Sequence, residues 1–338
     1  MSIEQAAALP LEQSLPAPRA RGWTRHLDRR VVVFGAPAVY VVALGAVIAT
    51  WGLPVARDQL FFWLGLGMAA FSVSAWRSWG VMVLEWLPFF GLLVAYDFLR
   101  GAVSVAPWQA HVMPQIDGDK ALFGGTVPTV WLQHHLWTPG HLHWYDYGVW
   151  GVYMTHFFAV WVVAAVLWRV SRPAFHRYAL LTVTLTVAAF LTYWLYPAQP
   201  PWLAGQGVHM QHVDRIVPLV WDQLGVGTLQ SVYENGSLVN MVAAMPSLHA
   251  AYPFMLMLFF WPAGRLVRIL LGAYTLAMAF TLVYGGEHFV IDILAGWAMA
   301  LAAYALVGWA LAALGSRSRS AKRIDASATE LATRSAHT

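Results

Sequence analysis

Long apolar runs recur along this sequence, and several reach the roughly 20 residues that an α-helix needs to cross a bilayer. Of 338 residues, 59% are hydrophobic and only 11% are charged, a balance far from that of soluble domains. The sequence therefore predicts an all-α polytopic membrane helix bundle with about eight transmembrane helices. The predicted helices cover residues 31–51, 59–76, 79–99, 147–169, 178–196, 246–262, 266–285 and 288–314.

Composition shifts along the chain divide it into regions. The first apolar run is long enough to remain a membrane helix, which argues against a cleavable signal peptide. Two long segments between the runs, 100–146 and 197–245, are rich in Trp, Pro and Gly, as is typical of structured loops at a membrane interface. The predicted regions are a disordered basic cytoplasmic leader (1–30), accessory transmembrane helices (31–78), a main membrane domain (79–314) and a disordered cytoplasmic tail (315–338).

The positions of the basic residues predict the orientation of the chain. With eight spans and both termini in the cytoplasm, 16 of the 20 Lys and Arg residues lie on the cytoplasmic side, as the positive-inside rule requires. Both long loops then lie on the non-cytoplasmic face. Basic residues in short clusters between apolar runs do not form a nucleic-acid-binding face, and the composition favours a bacterial inner membrane.

The histidine-rich segment "QHHLWTPGHLHWYDYG" is the one stretch that suggests a metal. Its spacing matches no standard zinc pattern, and a chain without cysteine has no thiolate ligands. We therefore expect no metal and no cofactor. We expect Trp144, Asp146, Tyr153 and His156 to line the approach to a pocket, because polar residues at membrane depth normally face a cavity. The histidines of the segment are His134, His135, His141 and His143.

The fragment "GEHFVIDILAG" places His288 and Asp292 four residues apart at the start of a predicted helix. On a helix they share one face, so the carboxylate can reach the imidazole. A carboxylate on one ring nitrogen fixes the tautomer and leaves the other nitrogen as a nucleophile or base. A His–Asp pair that only caps the helix is the structural alternative.

The fragment "AAMPSLHAAYP" supplies a second histidine at a helix start. Pro246 and Ser247 favour the beginning of a helix, which puts His249 in its first turn. Free backbone N–H groups and the helix dipole favour an anion there. A proton-donating histidine beside such an anion site suits the leaving group of a phosphoryl transfer. Alone, His249 would mark only a capped helix start.

Together, "PSLH" and the later "H-x3-D" resemble the second and third signature motifs of the phosphatidic acid phosphatase type 2 superfamily, in which the first of these commonly reads Pro-Ser-Gly-His. With "YPAQPPW" upstream, the sequence is closer to the branch that contains inositol phosphorylceramide synthases, also called aureobasidin-resistance proteins. The resemblance covers roughly residues 90–310 and implies a six-helix catalytic core within 79–314.

The resemblance implies a role for each motif residue. His288 would attack phosphorus and form a phosphohistidine, and Asp292 would orient it. His249 would protonate the departing oxygen and then act as base toward water or an acceptor hydroxyl. Such a double displacement needs no metal. Ser247, Tyr153, His156 and Asp146 are expected substrate-binding residues.

The sequence departs from the superfamily at its phosphate-binding cations. The third motif normally begins Ser-Arg, but Thr281 and Leu282 stand at those positions. Arg100, at the outer end of the third predicted helix, is the preferred replacement, although it could instead snorkel or pair with Asp97. The weaker candidates are Arg215 and Lys120.

The predicted function is a membrane lipid phosphatase or phosphotransferase at the outer leaflet, with a lipid phosphate as substrate and a mild preference for inositol-phosphate transfer. One alternative is a non-catalytic lipid carrier or assembly partner that kept the fold. Another is a proton-coupled transporter using His156, Asp292 and Glu85 as a relay, although no inverted repeat is visible. The sequence leaves the acceptor and the oligomeric state open.

Overall fold

The structure is a computed structural model that is all-helical, which confirms the predicted fold class. It describes the backbone of residues 22–51, of scattered helical positions between 62 and 91, of 110–224 and of 242–335. Side chains are described for these residues apart from 22–34, 49, 51 and 317–335. The chain falls into two compact units, Met1–Trp79 and Gly80–Thr338.

The described residues form ten α-helices and, after α8, one 3-10 turn (Trp261–Ala263). The helices are α1 (Gly22–Trp51), α2 (Met113–Leu122), α3 (Pro128–Leu136), α4 (Trp144–Val170), α5 (Arg172–Leu195), α6 (Pro201–Ala204), α7 (Ile216–Gln223), α8 (Leu248–Phe259), α9 (Arg265–Tyr284) and α10 (Val290–Ser335).

The first unit contains α1, which begins inside the predicted leader and carries Pro37 within its length. Residues 62–63, 65–67 and 69–70 are also helical. A Cβ on Gly67 would lie 2.9 Å from the ring of Tyr40, so a larger residue there would require the ring to shift. The remainder of the predicted helix 59–76 lies outside the described residues.

The second unit is a bundle of membrane helices. Four described helices are long and apolar enough to cross a bilayer: α4, α5, α9 and the part of α10 up to Ser316. Ser171 alone joins α4 to α5, and its side chain caps α5 by accepting from the N–H of Ala174. The shorter α8 packs against α9 and α10, while α5 contacts α4 and α10.

Several predicted boundaries move in the structure. The tail after residue 314 was expected to be disordered, but α10 continues to Ser335 because Ala, Arg, Lys and Glu in that stretch favour helix. α5 begins at Arg172 rather than 178, since Pro173 suits the first turn of a helix. Of the predicted helix 79–99, residues 80, 83–88 and 91 are helical and the others lie outside the described part.

The two interfacial loops contain helices of their own. The segment 100–146 holds α2 and α3, and the segment 197–245 holds α6 and α7. Both α2 and α3 start with proline in the first turn, where the missing N–H costs nothing. Together these short helices pack over the ends of α9 and α10 at one side of the bundle.

A backbone-to-backbone contact joins α8 to α10. The N–H of Ser247 donates to the carbonyl of Asp292 at 3.0 Å. The approach depends on Gly296, because a Cβ there would overlap the carbonyl oxygen of Ser247. The start of α8 and the first turn of α10 are thereby fixed against each other.

We therefore expect Gly296→Ala to lower the free energy of unfolding by about 1–3 kcal/mol, because the overlap must be relieved by a backbone shift. Gly308→Ala is the matched control in the same helix, since a Cβ there meets nothing within 4 Å. The control should change stability by no more than about 1 kcal/mol, in the stabilising direction. Denaturation in detergent measures both, and equal effects of the two variants would contradict this account.

Candidate active site

His249 owes its position to the cap of α8. Ser247 is fully buried, and its hydroxyl accepts from the N–H of Ala250 at 3.3 Å, closing the first turn. The same residue is tied to α10 through its N–H. His249 therefore lies at a helix start whose backbone position is fixed, rather than in a loop.

His288 lies in the turn that precedes α10. Asp292 is fully buried, and its Oδ2 accepts from the N–H of Phe289 at 3.0 Å while lying 3.6 Å from Nδ1 of His288. The other ring nitrogen, Nε2, lies 3.4 Å from Nδ1 of His249. The structure thus brings His249, His288 and Asp292 together in one cluster, with the ring of His288 between the other two side chains. A phosphoryl group between the rings needs a longer separation, so we expect them to move apart when substrate binds.

Two side chains of helix α4 pack their rings against His249. The ring of Tyr153 stacks on His249 with centroids 5.0 Å apart, and the ring of His156 lies 3.9 Å away on a tilt of 31°. The ring of Tyr252 also packs against His156, with centroids 5.5 Å apart. Tyr153 and His156 therefore belong to the same cluster as the histidine pair (His249 and His288).

This cluster contains polar atoms that are buried and lack a hydrogen-bond partner within the described residues. Buried polar groups are normally paired, and exceptions concentrate at sites where chemistry or binding takes place. Four such atoms in one cluster point to a polar ligand bound there. They are Nδ1 of His156, Nε2 of His249, Nδ1 of His288 and Oδ1 of Asp292.

Asp119 of α2 holds the start of α10 from outside the cluster. Its fully buried carboxylate accepts from the N–H of Val290 at 3.1 Å and of Ile291 at 3.0 Å. These are two of the N–H groups that a helix start leaves unpaired. Burial raises the pKa of Asp119 to about 6, although the two hydrogen bonds act in the opposite direction. The turn that carries His288 is thus fixed by Asp119 as well as by Asp292.

An arginine reaches the site from the loop before α7. Arg215 forms a bidentate ion pair with Glu287, with both N–O distances at 2.9 Å. Glu287 is the residue directly before His288, so the ion pair places the guanidinium next to the turn that carries this histidine. The guanidinium also lies 4.9 Å above the ring of Trp202. A positive group is therefore present beside the histidine pair.

Comparison with known proteins identifies the family of this chain. The sequence model of the PAP2 superfamily matches residues 122–306, which is more than half of the chain and includes the whole cluster. This chain belongs to the PAP2 superfamily. Within the superfamily, it is 27% identical over 244 residues to the phosphoinositol dihydroceramide synthase of Bacteroides thetaiotaomicron, an alignment that covers 66% of this chain and 74% of that protein. No solved structure matches.

The remaining predicted site residues have other surroundings. Asp146 accepts from the hydroxyl of Tyr284 and from the N–H of His143, both at 2.7 Å, so it caps α4 and ties that helix to the end of α9. Substrate binding by Asp146 and by Ser247 remains a prediction in addition to these structural roles. Arg100 lies outside the described residues.

The histidine-rich loop does not gather around a common point. Among the described residues, no group of three or more His, Asp or Glu side chains is placed to hold a metal ion. His134, His135 and His141 are exposed. His143 contributes its backbone N–H to the cap of α4 instead.

Sequence reasoning missed Glu287, Asp119 and Gln133. Gln133 pairs with both the N–H and the carbonyl of Asp214 and also donates to the carbonyl of Tyr284 at 2.8 Å. It therefore clamps the loop before Arg215 to the end of α9. The one available signal was Glu287 itself, an acidic residue next to the motif histidine in an apolar segment.

The pKa of Asp119 makes stability depend on pH. An unfolded Asp has a pKa of about 4, so between pH about 4 and 6 the native state binds more protons than the unfolded state. The free energy of unfolding should therefore fall as pH rises through this window in wild type, relative to Asp119→Asn. The exposed neighbour Asp117 provides the control variant Asp117→Asn. Parallel curves for wild type and Asp119→Asn, from unfolding in detergent across this pH range, would rule the titration out.

Proposed function

We propose that this membrane protein is a lipid phosphotransferase that works through a phosphohistidine on His288. Membership of the PAP2 superfamily establishes the general class, a membrane lipid phosphatase or phosphotransferase. The observation that carries the finer proposal is the 3.4 Å approach of Nε2 of His288 to Nδ1 of His249, with a buried carboxylate behind His288.

The first half-reaction uses both histidines. Asp292 keeps the proton of His288 on Nδ1, so the lone pair of Nε2 attacks phosphorus. The bond between phosphorus and the leaving oxygen breaks as His249 donates its proton to that oxygen. The products are a lipid alcohol and a His288 that carries the phosphoryl group, with inositol still attached when the donor is an inositol phospholipid.

The second half-reaction reverses the roles. His249, now neutral, removes a proton from an incoming hydroxyl, whose oxygen attacks the phosphorus on His288. The P–N bond breaks and the electron pair returns to Nε2. Water as acceptor gives hydrolysis, and a lipid alcohol gives transfer, so the same residues serve either outcome.

The relative supports an inositol-phosphate group as the unit that is transferred. Its printed name describes synthesis of a phosphoinositol dihydroceramide, and the alignment spans two thirds of this chain. On that basis we propose an inositol phospholipid as phosphoryl donor and a membrane lipid alcohol as acceptor. This extends the activity named for the relative to the present chain as a proposal.

The proposed location follows from charge. With 16 of the 20 basic residues on one side, both termini would lie in the cytoplasm of a bacterial cell and the site would face the opposite side of its inner membrane. There the site would meet lipid head groups of the outer leaflet.

The position of Glu85 argues against the transporter alternative. Its carboxylate is bound to Trp168, His176 and Arg172. Trp168 and His156 are 12 residues apart on α4, which is about 18 Å along the helix. A direct relay between Glu85 and His156 therefore has no support in this arrangement.

The proposed mechanism is tested with purified full-length protein in detergent and a panel of lipid phosphates that includes an inositol phospholipid. His288→Ala should lower turnover by at least about 10³-fold, because the nucleophile is lost. His249→Ala should lower it by about 10²–10⁴-fold, as for a missing general acid. His134→Ala removes an exposed histidine of the loop and should leave turnover unchanged.

Two outcomes would contradict the mechanism. An active His288→Ala enzyme would show that another group attacks phosphorus. Absence of release and transfer by wild type across the panel would favour the non-catalytic alternative. Assays with and without an added lipid alcohol show which acceptor is used, because water is present in both.

A further inference from the structure

The pair of Arg215 and Glu287 is largely withdrawn from solvent and lies next to the proposed nucleophile. The side chain of Glu287 is 6% exposed and that of Arg215 is 16% exposed. Nε and Nη2 of the guanidinium both donate to the carboxylate. A buried ion pair contributes little net stability, since the loss of hydration offsets the attraction. Stability alone therefore gives no strong reason for this pair.

The backbone around the pair is clamped on both sides. The N–H of Ile216 donates to the carbonyl of Gly285, and the N–H of Trp202 donates to the carbonyl of Gly286. A Cβ on Gly286 would lie 2.7 Å from the carbonyl oxygen of Asp214. The loop bearing Arg215 thus rests directly on the turn that leads to His288. The guanidinium is held in place before any ligand arrives, which suits recognition of a phosphate oxygen.

Glu287 changes what this arginine can recognise. A lone guanidinium attracts a phosphomonoester, which carries close to two negative charges near neutral pH, more strongly than a singly charged phosphodiester. Here the charge of Arg215 is balanced by Glu287, and the carboxylate of Asp292 lies 3.6 Å from Nδ1 of His288. Each additional negative charge on the ligand therefore meets carboxylates at short range, where interactions are poorly screened.

We propose that Arg215 binds a non-bridging phosphate oxygen and that Glu287 makes the site prefer singly charged phosphodiester lipids over doubly charged phosphomonoesters. The proposal rests on the proposed function, because it places the phosphate at His288. It assigns to these two residues the choice between a phosphodiester donor and a simple lipid phosphate.

The test compares two short-chain lipids that differ by one methyl group. Dihexanoyl phosphatidylmethanol is a phosphodiester with one negative charge, and dihexanoyl phosphatidic acid is the corresponding monoester. Titration calorimetry at pH 8, with full-length protein in detergent, gives the Kd of each lipid without requiring turnover. Wild type should bind the diester more tightly, and an equal or reversed preference would overturn the proposal.

The variants separate charge from packing. Glu287→Gln should shift the ratio of the two Kd values toward the monoester by on the order of tenfold, the size of one charged interaction. Glu287→Asp keeps the charge and should retain the preference of wild type. Arg215→Gln should weaken the binding of both lipids by tenfold or more, with partial recovery in Arg215→Lys. An unchanged ratio in a folded Glu287→Gln protein, or full binding by Arg215→Gln, would refute the assignment.

A second Arg–Glu pair in the same chain is the matched control. Arg172 is paired with Glu85 at the start of α5 and stacks over Trp168 at 3.8 Å. Arg172→Gln should reduce thermal stability without altering the Kd ratio, and a change of the ratio there would show that the effect is not local. Failure of the mechanism itself would appear differently, as normal lipid binding with no phosphate released or transferred.

Discussion

The site depends on the contact between the N–H of Ser247 and the carbonyl of Asp292, which is possible because Gly296 has no side chain. This contact joins the starts of two helices that lie in different parts of the chain. Helix starts present unpaired N–H groups and the positive end of the dipole, so two that meet form a setting for an anion. His249 and His288 each lie at one of these starts, and their facing nitrogens follow from that docking.

Around this contact, side chains that are distant in sequence form hydrogen bonds with backbone groups and thereby fix the residues of the site. Asp119 caps α10 from α2, Asp146 caps α4 while holding Tyr284, and Gln133 clamps the loop before Arg215. In contrast, polar atoms of the histidine cluster lack hydrogen-bond partners among the described residues. The side chains that support the site have hydrogen-bond partners within the described part of the chain, whereas several polar atoms of the histidine cluster do not. This distribution is expected of a rigid site that binds a polar ligand.

The sequence could predict contacts between residues that are close together in the chain. The spacing of His288 and Asp292 predicted their contact, the Pro-Ser start predicted the position of His249, and apolar runs predicted the all-helical fold. Partners far apart in sequence carry no such spacing: Arg215 and Glu287 are separated by 72 residues, and Asp119 and Val290 by 171. These pairs arise from the packing of the interfacial helices, which hydrophobic periodicity does not determine. For the tail after residue 314, the polar composition favours disorder while the helix propensity favours an extension of α10, which continues to Ser335 in the structure.

The central claim is that phosphate passes through a covalent bond to His288. The most direct measurement is mass spectrometry of peptides from the His249→Ala enzyme, quenched at alkaline pH after a short exposure to its lipid donor, since phosphohistidine is acid-labile. If His288 is the nucleophile, its peptide should carry the transferred unit, which is inositol phosphate from an inositol phospholipid or phosphate from a simple lipid phosphate. The adduct should persist because its breakdown lacks the base that His249 supplies. Turnover by wild type with no phosphorylated His288 under these conditions, or phosphate on a different residue, would contradict the claim.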